Sequence, residues 1–322
     1  MHSGISVVVP VYNEEKCLHE LNQKIHGIMS KFFKEYELIF VDDGSSDGSP
    51  NKLREISALN PSVFIITLRR NFGKAIALQC GFRKAKYDVI ATMDADLQDD
   101  PSELPDMVAK LNQGYDLVSG WKRERQDPLE KRLPSKFFNK IVSLISGLKL
   151  HDFNCGLKVY KSWSLKDVHI QGNLYRFLPV FVFIAGGKVT EMPVSHKKRV
   201  FGTSKYGIGR YLHGFFDIIT IFVIVKFSKS PLYFFGLLSM PLLLISMFFI
   251  VWLVGGHLLW TIGVFETSEL VNRPLLILVL ALFSIGLQIL SIGVLAELFL
   301  YINSDRLQND TPSYIKSVHS AE

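Results

Sequence analysis

The stretch DVIATMDADLQ, residues 88–98, passes from a short apolar run to two carboxylates and an amide. Continuous apolar runs of this length are typical of strands that are buried on both faces of a parallel sheet. Asp94 and Asp96, spaced i, i+2, leave such a strand on the same side. Because α/β sheets bind ligands at the carboxyl ends of their strands, the stretch predicts a parallel sheet with a binding site at this edge.

Similar apolar runs lie on both sides of this stretch and alternate with helical segments. We predict strands at residues 5–11, 37–41, 63–68, 88–93 and 116–118, with helices at 15–29, 50–58, 75–85 and 101–112. This alternation is typical of a doubly wound, Rossmann-like α/β domain with a mainly parallel sheet. A helix at 137–146 and strands at 156–160 and 188–194 continue the same domain, which we place at residues 1–205.

Polar clusters follow two further predicted strands. They are PVYNE at residues 10–14 and VDDGS at residues 41–45. Carboxylates at adjacent strand ends suit a nucleoside, because Asp42 or Asp43 can accept a hydrogen bond from a base N–H or a ribose hydroxyl, and Tyr12 can pack beside the base. Asp-Asp-Gly-Ser is also ordinary turn chemistry, and the two interpretations are compatible.

The carboxyl-terminal third has a different composition. Residues 230–265 and 274–296 carry no formal charge, and each run exceeds the ~20 residues that span a bilayer core. We predict two transmembrane helices, at 232–254 and 275–298, within a membrane segment at 230–302. Residues 206–229, aromatic and interrupted by charges, are predicted to form interfacial helices, with ordinary packed helices as the alternative.

Charges around the two spans predict their orientation. Four basic residues flank the pair: Lys226, Lys229, Arg306 and Lys316. The connecting loop holds a single basic residue, Arg273. By the positive-inside rule the amino-terminal domain and the tail at 303–322 are assigned to the cytoplasm. The amino terminus lacks a basic region and a long apolar run, so we do not interpret it as a signal peptide.

Charge and cysteine content narrow the class of partner. A net charge of +6 favours an anionic partner: nucleic acid, an anionic membrane or a phosphorylated substrate. Nucleic acid is disfavoured because no recognised binding motif accompanies the basic residues. The three cysteines have no CxxC spacing, which argues against a disulfide framework or a zinc knuckle and fits a reducing compartment.

Four ordered motifs carry a family resemblance: VPVYNE at 9–14, VDDGS at 41–45, NFGK at 71–74 and DADLQ at 94–98. Together they resemble the inverting family 2 glycosyltransferases of the GT-A fold, in the dolichol-phosphate mannose synthase-like branch. Similar bacterial members with two carboxy-terminal spans are polyprenyl-phosphate glycosyltransferases, including bactoprenol glucosyltransferases. The resemblance covers nearly the whole chain and implies a GT-A domain followed by interfacial helices and two transmembrane helices.

The resemblance also implies roles for individual residues. Asp94 and Asp96 are expected to be catalytic, and with Gln98 they would offer hard oxygen ligands to Mg²⁺ or Mn²⁺. Asp152 occupies the region of a general base in sugar-accepting relatives, although a phosphate acceptor is already anionic and Asp152 could orient it instead. The nucleotide-sugar would contact Pro10, Tyr12, Glu14, Val41, Asp42, Asp43, Lys74, Asp94, Ala95 and Asp96.

Basic residues are expected to meet the phosphates. The segment from Arg199 to Lys205 resembles the family's basic loop over donor and acceptor phosphates, and both end residues suit phosphate chemistry. The alternative for the run at 196–199 is binding of lipid headgroups. Lys122, Arg132 and Lys136 are further acceptor candidates, although this chain has Trp121 and Lys122 where the family often has an arginine.

The predicted reaction is inverting transfer of a hexose from a nucleotide-sugar to polyprenyl phosphate, for modification of cell-envelope glycans. UDP-glucose and undecaprenyl phosphate are favoured, in a bacterial plasma membrane, with a GDP-mannose-dependent mannose synthase as the alternative. A processive polysaccharide synthase is disfavoured because no Arg-Trp pair occurs. A non-catalytic nucleotide-sugar sensor or a flippase scaffold is the alternative from another class. Self-association is left open.

Overall fold

The computed structural model describes the backbone of residues 4–123, 129–166, 168, 170, 172–196, 209–227, 230–264 and 273–308. Side chains are described over the same residues, except at 129–134, 209–213, 273, 301 and 303–308. The chain divides into two compact units, and the second begins at Val223.

One sheet of seven strands organises the described part of the first unit. The strands run in the spatial order β3-β2-β1-β4-β6-β5-β7. All neighbouring pairs are parallel except those made by β6, which runs antiparallel to β4 and β5. Their bounds are Ile5–Val11 (β1), Tyr36–Asp42 (β2), Val63–Thr67 (β3), Val89–Thr92 (β4), Leu117–Trp121 (β5), Lys158–Lys161 (β6) and Val189–Pro193 (β7).

Helices cover the sheet and continue into the second unit. On α1 a buried stripe at helical spacing packs on the sheet, formed by Cys17, Leu18, Leu21, Ile25 and Met29. The helices are Glu15–Phe32 (α1), Ser49–Leu59 (α2), Lys74–Lys84 (α3), Leu104–Leu111 (α4), Leu129–Ser146 (α5), Leu178–Ile184 (α6), Gly209–Phe227 (α7), Pro231–Thr261 (α8) and Arg273–Gln308 (α9).

The mainly parallel α/β sheet confirms the predicted fold class, and each predicted strand overlaps an observed one. The sequence did not predict that β6 inserts antiparallel between β4 and β5, because an apolar run does not encode strand direction. Two helical bounds were also wrong: α5 begins at Leu129 rather than at 137, and the predicted helix at 101–112 opens as a 3₁₀ turn at Pro101–Glu103. Helix α6 was not predicted.

The second unit contains two long apolar helices that are candidate membrane spans, Pro231–Thr261 and Pro274–Leu300. They pack closely where glycine removes a side chain: a Cβ on Gly286 would lie 2.9 Å from Leu243, and one on Gly293 would lie 2.7 Å from Phe235. Small residues permit such close approach between apolar helices. Both helices extend beyond the predicted 232–254 and 275–298.

Candidate active site

The sheet register brings the three predicted polar clusters to one edge. Val11 at the end of β1 pairs with Asp42 at the end of β2, and Val8 of β1 pairs with Thr92 at the end of β4. The chain segments that follow these strands therefore leave the sheet beside one another. We call this edge the donor edge, after the role that the sequence predicts for it; it comprises residues 11–15, 42–49 and 93–98.

Asp94 lies between a lysine and a glycine. Its carboxylate forms an ion pair with the Lys74 ammonium at the start of α3, and the same ammonium lies 4.9 Å from the centre of the Tyr175 ring. Burial alone would lower the pKa of Lys74, but the Asp94 carboxylate raises it above its ordinary value, so the lysine stays cationic. On the other side, a Cβ on Gly156 would lie 2.6 Å from Asp94 Cγ. Glycine at position 156 thus leaves room for the carboxylate.

Asp96 is held by a tight turn. Leu97 has a φ of +62°, a left-handed conformation that non-glycine residues rarely adopt. Such a conformation costs about 1–3 kcal/mol and persists where the surrounding structure imposes it. The turn lets the Gln98 N–H donate to Asp96 Oδ1 at 3.2 Å. Asp96 is consequently buried and fixed at the carboxyl end of β4.

The donor set at this turn fits a divalent cation that also binds phosphate. No group of three or more His, Cys, Asp or Glu side chains that could hold a metal occurs among the described residues. At this turn Asp94 and Asp96 supply two carboxylates, and Gln98 adds an amide. Mg²⁺ commonly binds one or two protein carboxylates and takes its remaining ligands from water and substrate phosphates. Two carboxylates suffice for that mode of binding.

The two neighbouring aspartates after β2 differ in their partners. Asp43 is occupied on both oxygens, which accept hydrogen bonds from the Phe72 N–H at 2.7 Å and the Gly73 N–H at 2.9 Å. Burial raises the pKa of Asp43, and the two backbone donors offset part of that shift. Asp42 accepts one bond from the Ser45 N–H at 3.1 Å, while its Oδ2 is buried without a partner among the described residues. Asp42 thus has a buried carboxylate oxygen whose hydrogen-bonding capacity is unused by the described residues.

The turns after β1 and β2 are joined by side chain to backbone bonds. Ser45 Oγ accepts from the Asn13 N–H at 3.0 Å, and Asn13 Oδ1 accepts from the Ser46 N–H at 2.8 Å. The Glu14 N–H donates to Ser49 Oγ at 3.0 Å. Pro10, Tyr12 and Glu14 are partly exposed at this edge, whereas Val41 is fully buried beneath it.

A buried ionic cluster lies beyond the turn. Lys122 Nζ and His196 Nδ1 each lie 3.6 Å from Asp99 Oδ1, and the Asp99 side chain is 1% exposed. Burial alone would raise the pKa of Asp99, but the Lys122 charge and His196 lower it to about 2. In return Asp99 raises the pKa of Lys122 against the opposing effect of burial. Lys122 is therefore a cation that the buried Asp99 carboxylate holds in place.

Lys122 also lines a cavity of about 420 Å³. We call it the acceptor pocket, after the role that the sequence predicts for its residues; Lys122, Lys136 and Asp152, which the sequence selected, all line it. The side chain of Arg132 is not described, and Arg199 and Lys205 lie outside the described residues. Sequence analysis did not select Ser135, Asn139 and Lys140, which also line the pocket together with Trp121, Arg123, Leu150 and His151.

The segment 150–156 that borders the pocket is held by buried polar groups. The Lys158 ammonium donates to the carbonyls of Phe153 and Cys155, and the Asn139 amide donates to the His151 carbonyl at 2.7 Å. Burial lowers the pKa of Lys158. Asp152 is 2% exposed. Its Oδ1 accepts a hydrogen bond from the Asn154 N–H at 2.9 Å, so one carboxylate oxygen is already used within the turn.

Comparisons with known proteins agree with this geometry. The family model described as Glycosyl transferase family 2 matches residues 6–180. A dodecaprenyl-phosphate galacturonate synthase of Rhizobium johnstonii is 34% identical over 318 residues, which is 97% of this chain and 91% of the relative. An undecaprenyl-phosphate 4-deoxy-4-formamido-L-arabinose transferase of Shewanella sediminis is 34% identical over 303 residues, 94% and 88% of the two chains.

The fold also has solved counterparts. The crystal structure of glucosyl-3-phosphoglycerate synthase from Mycobacterium tuberculosis superposes with a TM-score of 0.52 at 17% identity, over 70% of this chain and 82% of that one. At this identity the likeness concerns the fold, which is the GT-A arrangement. The family match over more than half of the chain and the two relatives that span almost all of it show that this chain belongs to glycosyltransferase family 2 and is a glycosyltransferase.

Proposed function

We propose that this enzyme transfers a sugar from a nucleotide-sugar to a polyprenyl phosphate, with inversion at the anomeric carbon. The observation that carries the proposal is that a carboxylate-rich edge and a cation-rich pocket are connected by the buried ion pair of Asp99 and Lys122. Asp94 and Asp96 follow β4 at the donor edge, and the next buried carboxylate, Asp99, holds Lys122 in the wall of the acceptor pocket. Both relatives named above are described as enzymes of prenyl-phosphate sugar transfer, which supports the same acceptor class here.

On the donor side, the chain binds the nucleotide and neutralises the phosphates. Asp42 Oδ2 is available to a nucleoside N–H or hydroxyl, and Lys74 is a fixed cation beside Asp94. A divalent cation, Mg²⁺ or Mn²⁺, held by Asp94, Asp96 and Gln98 would neutralise the charge that develops on the departing nucleoside diphosphate. The remaining contribution of the protein is positioning and electrostatic stabilisation.

On the acceptor side, the pocket presents cations to a phosphate. Lys122, Arg123, Lys136 and Lys140 line it, and lysine and arginine are the usual protein partners of phosphate oxygens. In the proposed reaction a phosphate oxygen attacks the anomeric carbon as the bond from that carbon to the nucleoside diphosphate breaks. The basic loop from Arg199 to Lys205, with Arg132, remains our proposal for further phosphate contacts.

The identity of the sugar is a separate proposal. The two relatives are named for different sugars, galacturonate and 4-deoxy-4-formamido-L-arabinose, while both names contain a prenyl phosphate. The acceptor class is thus common to both names although the sugar varies. We retain glucose from UDP-glucose as the first donor to test, with GDP-mannose as the alternative.

Membrane anchoring gives the acceptor proposal a physical basis. A polyprenyl phosphate stays in the bilayer, and the two candidate spans would keep the enzyme at the same surface. From the flanking basic residues we propose that the catalytic unit lies on the cytoplasmic side of a bacterial plasma membrane.

The experiment is a transfer assay with purified full-length protein, undecaprenyl phosphate in detergent, Mn²⁺ and a panel of UDP-glucose, UDP-galacturonate and GDP-mannose. Asp96→Asn should lower kcat at least about 100-fold, because a lost metal contact removes several kcal/mol of transition-state stabilisation. The exposed Asp106→Asn on α4 is the matched control and should behave as wild type. Unchanged turnover in Asp96→Asn would refute the metal role.

A binding measurement separates the enzyme from a nucleotide-sugar sensor. A nucleotide-sugar with Mn²⁺ should raise the melting temperature of wild type and of Asp106→Asn, but not of Asp96→Asn. A sensor would show the same stabilisation without transfer and without metal-dependent hydrolysis of the nucleotide-sugar.

A further inference from the structure

Three side chains at the rim of the acceptor pocket form a cluster that the proposed reaction has not used. The imidazole of His151 stacks on the indole of Trp121, with ring centres 4.2 Å apart and planes inclined by 17°. Glu191 on β7 binds His151 twice: one carboxylate oxygen accepts from the backbone N–H at 2.8 Å and the other pairs with ring Nδ1. His151 is therefore fixed in position although its side chain is 66% exposed.

The strands explain how these residues meet. Trp121 ends β5 and Glu191 lies in β7, and the two strands are parallel, with Ser119 opposite Glu191. Because residues two apart in a strand share a face, Trp121 and Glu191 present their side chains on the same side of the sheet. The sequence distance of seventy residues between them is closed by sheet pairing alone.

The Glu191 contact determines which ring nitrogen can meet a ligand. Nδ1 is occupied by the carboxylate, and no described residue forms a hydrogen bond to Nε2. A carboxylate on one ring nitrogen fixes the tautomer and the orientation of the imidazole and leaves the other nitrogen to a ligand. His151 lines the pocket whose other charged groups are cations, apart from Asp152. A phosphate in this pocket can thus place an oxygen at Nε2.

We propose that His151 holds the acceptor phosphate through one shared proton and keeps that proton during transfer. This inference rests on the proposed function and adds a catalytic residue to it, with Glu191 as a positioning residue. Either partner can bring the proton: a phosphate monoanion meets a neutral imidazole, or a dianion meets an imidazolium. In both cases the same complex forms, with one proton between a phosphate oxygen and Nε2.

The step balances. As an oxygen of the phosphate forms its bond to the anomeric carbon, the shared proton remains on Nε2 and Glu191 faces the resulting imidazolium. The bond from the anomeric carbon to the nucleoside diphosphate breaks, and its electron pair leaves with the diphosphate. After the phosphodiester product departs, Nε2 releases the proton to water. The net products are glycosyl phosphodiester, nucleoside diphosphate and one proton.

The proposal predicts the shape of a pH profile. The one-proton complex cannot form when both partners are protonated at low pH or when both are deprotonated at high pH, so it is most populated at an intermediate pH, near the second ionisation of a phosphate monoester at about pH 6. Lysine, arginine and carboxylate side chains ordinarily keep their charge from about pH 5.5 to 8.5. The charged groups facing His151 in this range are Lys122 and Arg123 after β5, Lys136 and Lys140 on α5, Asp152 on its own segment and Glu191 on β7.

The test measures kcat/KM for undecaprenyl phosphate at about pH 5.5 to 8.5 in wild type, His151→Gln and Glu191→Gln. Wild type should show a bell-shaped profile with a maximum inside this range. In His151→Gln the value at that maximum should fall roughly 10- to 100-fold, with a smaller loss at about pH 8.5, so that the bell becomes a single rise with pH. Glu191→Gln should give the same trend with a smaller loss.

Controls separate this inference from the proposed function. His26→Gln removes an exposed histidine whose Nδ1 also has a partner, Tyr36, at the opposite end of β2, and it should keep the wild-type profile. Stabilisation by nucleotide-sugar and Mn²⁺ should be unchanged in His151→Gln. A loss that is equal at all pH values, or no loss, overturns the role of His151. If His151→Gln does not fold, the profile of Glu191→Gln decides. Absence of transfer by wild type would instead refute the proposed function.

Discussion

The donor edge and the acceptor pocket lie on the same sheet but are built in different ways. At the donor edge each polar cluster directly follows its strand, and short motifs bind one another, as Asn13 does with Ser45 and Ser46. The acceptor pocket takes its residues from β5, α5 and the segment 150–152, and its rim is fixed by Glu191 of β7. Short sequence motifs therefore identify the residues of the donor edge, whereas the residues of the acceptor pocket come together only through strand pairing.

The two sites also differ in charge and in how that charge is compensated. The donor edge concentrates carboxylates, with Lys74 as the cation paired to Asp94. The acceptor pocket concentrates cations, and Lys122 is held by Asp99 from the side of the donor edge. This buried pair connects the charges of the two sites, so we expect its disruption to have the largest effect on the protein.

Breaking the buried pair should have the largest effect. Lys122→Met removes the cation 3.6 Å from Asp99, whose side chain is 1% exposed. Asp99 then keeps only His196 as a partner, and removing one member of a buried ion pair costs about 3–5 kcal/mol. In a unit of this size that corresponds to a fall in melting temperature of roughly 6–20 °C, measurable by tryptophan fluorescence in detergent.

Two further variants sharpen this prediction. Asp99→Asn combined with Lys122→Met should recover most of the lost stability, because neither charge is then left alone. Lys161→Met is the matched control on β6: its partner Asp116 lies 3.2 Å away, but the lysine is 39% exposed, so the loss should stay below about 1 kcal/mol. Equal losses in Lys122→Met and Lys161→Met would contradict the buried-pair interpretation.

Gly156→Ala should affect the chemistry with a smaller effect on stability. The added Cβ would lie 2.6 Å from Asp94 Cγ, so the carboxylate must move. A displacement of about 1 Å at a reacting centre can lower the rate about 100-fold. The measurement is kcat for transfer beside the melting temperature.

A glycine away from the site is the control for this substitution. A Cβ on Gly27 of α1 meets no atom within 4 Å, so Gly27→Ala should leave kcat unchanged and stabilise the helix by up to about 1 kcal/mol. If Gly156→Ala retained full turnover, Asp94 would not require its observed position.

The third comparison lies within the donor edge. Asp43→Asn loses an acceptor for one of two backbone N–H groups and should cost about 1–3 kcal/mol of stability. Asp42→Asn alters the oxygen that has no described partner. It should raise the KM for nucleotide-sugar and lower the melting temperature less than Asp43→Asn does. Thermal unfolding and donor titration of both variants check this. The reverse pattern would exchange the two roles.

Much of the donor edge was accessible from sequence because its chemistry is local. Apolar runs that end in Asp-Ala-Asp or Asp-Asp-Gly-Ser predict both a buried strand and polar groups at its carboxyl end. The partners of Asp43 were not predictable, since Phe72 and Gly73 come from the segment that precedes α3. Asp152 was selected from its motif, yet its burial and its bond within its own turn were visible only in the fold.

The sequence by itself determined the alternation of strands and helices, the two long apolar segments and the family to which the motifs belong, because periodicity and composition are properties of neighbouring residues. The tertiary structure decided that β6 runs antiparallel between β4 and β5, that Asp99 compensates Lys122 and that Glu191 fixes His151 on Trp121. These contacts join residues far apart in the chain. Their geometry follows from the order and direction of the strands in the sheet, which the hydrophobic pattern of neighbouring residues does not encode.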